Sequence, residues 1–235
     1  MDLRASAGRR RMAVAATTVT AIATLGFAAA ASGATLTLDK ACYVFKGKGM
    51  PIVSYSGAGY GPGDPVALES NSGFGANTTA NAAGDISGTA PAPLPPINAA
   101  KAKKFVVDAK DFTPAGTDAT VATATSEVTA FAAFHGASKH REPGNRALTE
   151  KIKWAFSGFP VGHKLFGHYL HGGKLVTRQE FGRTQAPCGT LVTHKPGYPA
   201  KPHHSSYKVQ IDTHKKYSKT TQPRLKLKIS LSLFF

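Results

Sequence analysis

The sequence predicts an all-β fold: two layered-sheet modules in tandem, without helices in the body of the chain. Three observations predict it. The phrase Ser56-Gly57-Ala58-Gly59-Tyr60-Gly61-Pro62-Gly63 returns, shortened, as Ser157-Gly158-Phe159-Pro160-Val161-Gly162, and β-type runs flank both copies. Apolar residues alternate with polar ones at period two, as a strand with one buried face requires. Beyond the N-terminal leader, no segment shows convincing helical spacing of apolar residues.

The leader comes first. Arg4, Arg9, Arg10 and Arg11 form a positive region ahead of the uncharged, small and apolar residues 12–31, and Ala31-Ser32-Gly33-Ala34 offers small residues for cleavage. Residues 1–33 therefore read as a signal peptide. No second spanning segment follows, so the mature chain is expected to be secreted or held at the extracellular surface.

The first module is expected over residues 34–136. Thr35-Leu36-Thr37-Leu38 alternates, and Pro51-Ile52-Val53-Ser54-Tyr55 leads into the first copy of the turn. Val66 and Leu68 follow it. Residues 71–84 are rich in Gly and Asn and read as loop. Residues 90–96 hold too many prolines for a central strand. Phe105, Val107 and Ala109 alternate, and residues 119–134 form a Val/Thr/Ala-rich run read as the last strand.

Residues 137–147 mix Gly, Ser, Pro and charge, and read as a linker. The second module is expected over residues 148–235. Ile152, Trp154 and Phe156 face one way, Lys151 and Lys153 the other. Gly172-Gly173 between two β runs is a two-residue hairpin signal. A short strand is expected at residues 190–193. Tyr207, Val209 and Ile211 alternate, and residues 224–234 place Leu225, Leu227, Ile229, Leu231 and Leu233 on one face. In both copies of the turn, glycine supplies positive φ at little cost and proline presets its neighbour's geometry.

A strand, a Ser-Gly-x-x-Pro-Gly bend and a Val/Leu strand resemble the immunoglobulin-like repeats of secreted and surface bacterial proteins. Asn81-Ala82-Ala83-Gly84-Asp85-Ile86 resembles the middle turn of those repeats. The resemblance implies two tandem immunoglobulin-like β-sandwich domains after the signal peptide, of a kind that serves as spacer, stalk or adhesive module. The second module departs from the pattern. It lacks a clear first strand, and its loops are rich in His and Lys.

Charge separates the modules. The chain is formally +16; residues 34–136 hold seven Lys/Arg against eight Asp/Glu, and residues 137–235 hold eighteen against four, with eight of the nine histidines. Such asymmetry points to an anionic partner for the second module. The expected partner is an anionic cell-envelope polymer or polysaccharide, not a specific nucleic acid. Lys215, Lys216, Tyr217 and Lys219 fall in the loop between the last two strands. By strand parity they share an end with Arg183 and residues 157–162, where sandwich folds gather binding loops. Lys151 and Lys153 line the polar face of one strand, and Arg224, Lys226 and Lys228 that of the last.

Cys42 and Cys188 allow one disulfide in an exported chain. Strand counting places both at ends away from the linker, so a bridge would require the modules to fold back side by side. Metal binding is not expected: of His163, His168 and His171, the last two are three apart on a strand and face oppositely, His203 and His204 are adjacent in a separate loop, and no Cys, Asp or Glu completes a set. Asp212 reads as a loop cap. No catalytic serine elbow or carboxylate pair is present, so no enzyme activity and no cofactor are expected.

The reading is an exported structural or adhesive protein whose basic second domain docks on an anionic extracellular polymer or surface. The alternative is specific glycan or protein recognition through the distal loops of that domain. A metal-binding sandwich is third.

Overall fold

Period-two patterning becomes fifteen strands and, among the described residues, no helix. The computed structural model describes residues 33–96, 100–112, 118–136, 150–200 and 206–230. The signal peptide, the linker at 137–147, His203, His204, Leu231 and Leu233 lie outside the described residues, apart from Gly33.

The molecule is all-β and builds two sandwiches. In the first, β1 (Thr35–Leu38), β3 (Ile52–Ala58) and β6 (Ile86–Pro91) form a three-stranded sheet in the order β1-β3-β6. Facing it are β2 (Cys42–Phe45), β4 (Pro65–Glu69), β5 (Gly75–Thr79), β7 (Ala102–Phe112) and β8 (Asp118–Ala130), in the order β2-β8-β7-β4-β5. The alternating residues meet between the sheets: Val53 and Tyr55 from one, Leu68, Phe105 and Val107 from the other.

In the second sandwich, β9 (Ala132–His135), β10 (Lys151–Ser157) and β13 (Leu191–Pro196) form one sheet, with β10 in the centre. The other holds β11 (Lys164–His171), β12 (Lys174–Arg183), β14 (Ser206–Asp212) and β15 (Leu225–Ser230), in the order β12-β11-β14-β15. Trp154 and Phe156 are fully buried, and the Trp154 ring lies 4.7 Å from Phe181. Burying one such ring contributes roughly 1.5–3 kcal/mol.

Both copies of the repeated phrase do the same work. Each carries the chain from a three-stranded sheet to the facing sheet, β3 to β4 and β10 to β11. Gly158 adopts φ +78°. A Cβ there would sit 2.7 Å from Val44 Cγ1 and 2.9 Å from Phe131 Cα. The hairpin between β11 and β12 turns on Gly172 and Gly173, both at positive φ, as a type I′ turn requires.

Several expectations change. The run 119–134 is not one strand: it breaks at Phe131, and β9 pairs with β10 of the second sandwich. The chain thus crosses between sandwiches at Phe131, whose ring lies 4.8 Å from Phe159, and β9 supplies the first strand that the second module lacks in sequence. The 71–84 segment contains β5, an edge strand paired with β4. The Pro-rich 90–96 segment begins at the end of β6, an edge strand, where a missing N–H is tolerated.

The strand count that set the cysteines far from the crossing also fails, because it omits β2. This strand runs parallel to β8, from Cys42 opposite Glu127 to Phe45 opposite Ala130. It delivers Cys42 to the neighbourhood of Phe131, whose N–H donates to Phe45 O at 2.8 Å. Cys188 sits in the turn between β12 and β13, and its carbonyl accepts from Gly158 N at 2.9 Å. The Cys42–Cys188 disulfide therefore closes beside the crossing, with Cα atoms 5.3 Å apart, and needs no fold-back of the chain.

Candidate functional site

The second sandwich's four-stranded sheet has an outward face that is partly covered by its own chain. Along β14, Tyr207, Val209 and Ile211 enter the core, so Lys208, Gln210 and Asp212 point outward. Yet Gln210 and Asp212 are buried, as is His168 on the neighbouring β11. The loop after β14 is what shields them. It folds back over this face, and the Tyr217 ring lies 5.6 Å from that of His168.

A polar network holds the loop there. His168 Nε2 donates to His214 O at 3.0 Å, with Asp212 Oδ1 3.4 Å away. Gln210 Nε2 donates to Asp212 Oδ2 at 2.7 Å and to Ser218 O at 2.8 Å. Asp212 Oδ1 accepts from His214 N at 2.8 Å, the loop-cap role its position predicts. Burial pushes the Asp212 carboxyl up, but hydrogen bonds from His168, Gln210 and His214 N outweigh it and leave the value below the ordinary aspartate range. From outside, Arg178 Nη1 donates to Lys215 O at 2.6 Å, its guanidinium 5.8 Å from the Phe166 ring.

Lys215, Lys216 and Lys219 are exposed on the loop so pinned, whereas Tyr217 is half-buried. On the sheet below, Lys208 stands directly opposite Lys228, and Gln210 opposite Lys226. All three lysines are exposed. Like charges paired across strands are unfavourable in themselves. With Arg178 they make a face of seven cations. Among its acids, Asp212 is buried and Glu180 is paired with Lys164 at 3.0 Å.

Other predicted residues go elsewhere. Arg183 shares the end of the sandwich but donates to Gly162 O, bracing the turn after β10. Lys151 and Lys153 are exposed on β10, in the opposite sheet, and do not join the loop. Arg224 is half-buried and lines a cleft beside the crossing, apart from the exposed Lys226 and Lys228. The loop is not distal either. Register places Asp212 beside Phe166, at the end of the sheet where Lys164 meets Arg183, and residues 222–224 line a cleft with Lys40, Val44 and Lys46 of the first sandwich. Sequence reading missed Arg178, Lys208, Gln210 and the anchoring role of His168. Strand parity within β14 was the available signal.

His168 and His171 do face oppositely, one buried and one exposed. Among the described residues, no group of three His, Cys, Asp or Glu is placed to hold a metal ion.

No protein-family model matches the sequence, and no curated protein matches it. Among solved structures, the chain is similar to a tetra-tandem repeat in the extending region of a large adhesion protein. The identity is 11%, the alignment covers 85% of this chain and 49% of that one, and the TM-score is 0.29. It is also similar to a variant of Salmonella alpha-2-macroglobulin (10% identity, 84% of this chain and 16% of that one, TM-score 0.32). A third likeness is to a 1.5-MDa bacterial ice-binding adhesin (13%, 83% and 62%, TM-score 0.27). The chain thus spans about half the length of the first of these and less than two thirds of each of the others. The likeness is distant and concerns layered-sheet architecture alone.

Proposed function

We propose that this is an exported, non-catalytic structural or adhesive protein that docks on an anionic extracellular polymer. The carrying observation is the seven-cation face of the four-stranded sheet, where Lys208 and Lys228 stand opposed in register. Such a face gains from a polyanion what it loses to self-repulsion. The Cys42–Cys188 bridge fits an oxidising compartment, and so an extracellular location. A pull-down against isolated envelope fractions at two salt concentrations tests this reading. Docking weakens steeply as salt rises; retention that ignores salt contradicts it.

A second reading, recognition of one specific glycan or protein, is favoured by the pinned loop. His168, Gln210 and Asp212 pre-organise residues 214–218, which lowers the entropic cost of binding at that spot. Replacing Lys215, Lys216 and Lys219 together with Gln separates the two. A broad charge field loses little affinity, whereas a localised site loses most of it.

A further inference from the structure

A cleft of about 1070 Å³ opens beside the chain crossing, between the two sandwiches. Among the described residues, its wall carries three cations, Lys40, Lys46 and Arg224, and no carboxylate. Lys40 is already compensated: Asp39 lies 3.0 Å from its Nζ and also accepts from Tyr43 Oη at 2.6 Å and Ser54 N at 2.9 Å. Lys46 is exposed. Arg224 differs from both. It is half-buried, and its Nη1 is shut off from solvent without a hydrogen-bond partner among the described residues. Nη1 itself is out of an anion's reach, but a partly desolvated guanidinium with no counter-charge is costly, and an anion in the cleft that meets its remaining N–H groups offsets part of that cost. Around it the wall is apolar, with the half-exposed Ile52, the half-buried Pro160 and the half-buried Phe131 ring.

We propose that this cleft binds a carboxylate-bearing sugar unit of an acidic polysaccharide, with Arg224 and Lys46 taking the carboxylate and Ile52, Phe131 and Pro160 taking the apolar face of the ring. The planar guanidinium matches the two oxygens of a carboxylate. A single such fork beside apolar walls suits a sugar acid better than a phosphate chain, which wants several converging donors. The assignment rests on the proposed docking on an anionic polymer and names the unit that is read.

The test is calorimetric titration of the full, oxidised chain with trigalacturonate and, separately, with a short polyphosphate at about 0.15 M salt. Trigalacturonate binds the unaltered chain in a manner that depends on Arg224, whereas polyphosphate, which the seven-cation face also attracts, binds without that dependence. Arg224→Gln weakens trigalacturonate by about tenfold or more, the loss expected for a charge-assisted bond in a desolvated site. Lys46→Gln weakens it severalfold, and Lys215→Gln with Lys216→Gln and Lys219→Gln changes it little. Near-UV circular dichroism reports whether Arg224→Gln keeps the fold; if it does not, Lys46→Gln, at an exposed position, carries the test. Unchanged affinity in Arg224→Gln and Lys46→Gln overturns the cleft assignment. If the triple variant then loses binding, docking on a polyanion survives without the cleft. No binding of either probe by the unaltered chain defeats both. Polyphosphate affinity that falls in Arg224→Gln as far as trigalacturonate affinity does overturns the carboxylate assignment.

Discussion

Replacing Asp212 with Ala should both destabilise the second sandwich and release its cationic loop. The carboxylate is fully buried and accepts from His214 N at 2.8 Å and Gln210 Nε2 at 2.7 Å, with His168 Nε2 3.4 Å from it. After truncation, Gln210 keeps Ser218 O and His168 keeps His214 O. The His214 amide keeps nothing. Leaving one amide unsatisfied costs about 1–3 kcal/mol, and losing the charge-assisted bonds brings the total to about 3–5 kcal/mol. Urea unfolding followed by the single, buried Trp154 measures this loss, and hydrogen exchange over residues 213–218 measures release of the loop. The pH dependence has a fixed sign. The folded-state value of Asp212 lies below the ordinary 3.8, so its stabilisation is fully present above about pH 4 and is lost as pH falls through the lower folded value. That acid limb is reduced in Asp212→Ala. A loss below about 1 kcal/mol, or loop amides that exchange as in the unaltered chain, would refute the reasoning.

Two further outcomes follow from the crossing. Replacing Cys42 and Cys188 with Ser removes a closure spanning 146 residues, and chain-entropy arithmetic puts the loss near 5 kcal/mol when the sandwiches unfold together. Denaturant unfolding with and without reductant checks it, and coincident curves would contradict it. Gly158→Ala meets a positive φ and the Phe131 backbone 2.9 Å away, so it should lower stability by about 2–3 kcal/mol; a variant with an unchanged thermal midpoint would show that the turn has room to give.

The alternation in β1, β3, β7, β10 and β14 was readable from sequence because each buries one face against a facing sheet. The repeated glycine bend was readable for the same reason, since a sheet crossing needs positive φ wherever it occurs. β2 was not. Four residues with one buried side chain, Tyr43, leave no periodic trace, and the pairing with β8 is parallel and long-range. Missing that strand misplaced Cys42. The break at Phe131 was hidden because alanine continues on both sides of it, as Ala130 and as Ala132-Ala133, and only pairing shows where the chain changes sandwich.

The candidate site was half legible. Lys215, Lys216 and Lys219 announce themselves by charge, and they are exposed. What orders them does not. Gln210 and Asp212 sit at outward parity, and their burial arises only when the following loop returns over the sheet. Arg224 looked like one more member of a cationic strand face. Its separation from Lys226 and Lys228 comes from its place just ahead of β15, beside the first sandwich.

The most direct measurement is the salt dependence of binding to an anionic polymer matrix, made on the oxidised chain and on a variant with Lys208, Lys215, Lys216, Lys219, Lys226 and Lys228 replaced by Gln. The unaltered chain should lose about tenfold or more in affinity between about 0.05 and 0.5 M salt, as the screening length drops from near 14 Å to near 4 Å, and the variant should bind weakly with a much flatter dependence. Equal slopes in the two proteins would contradict the assignment of docking to this face.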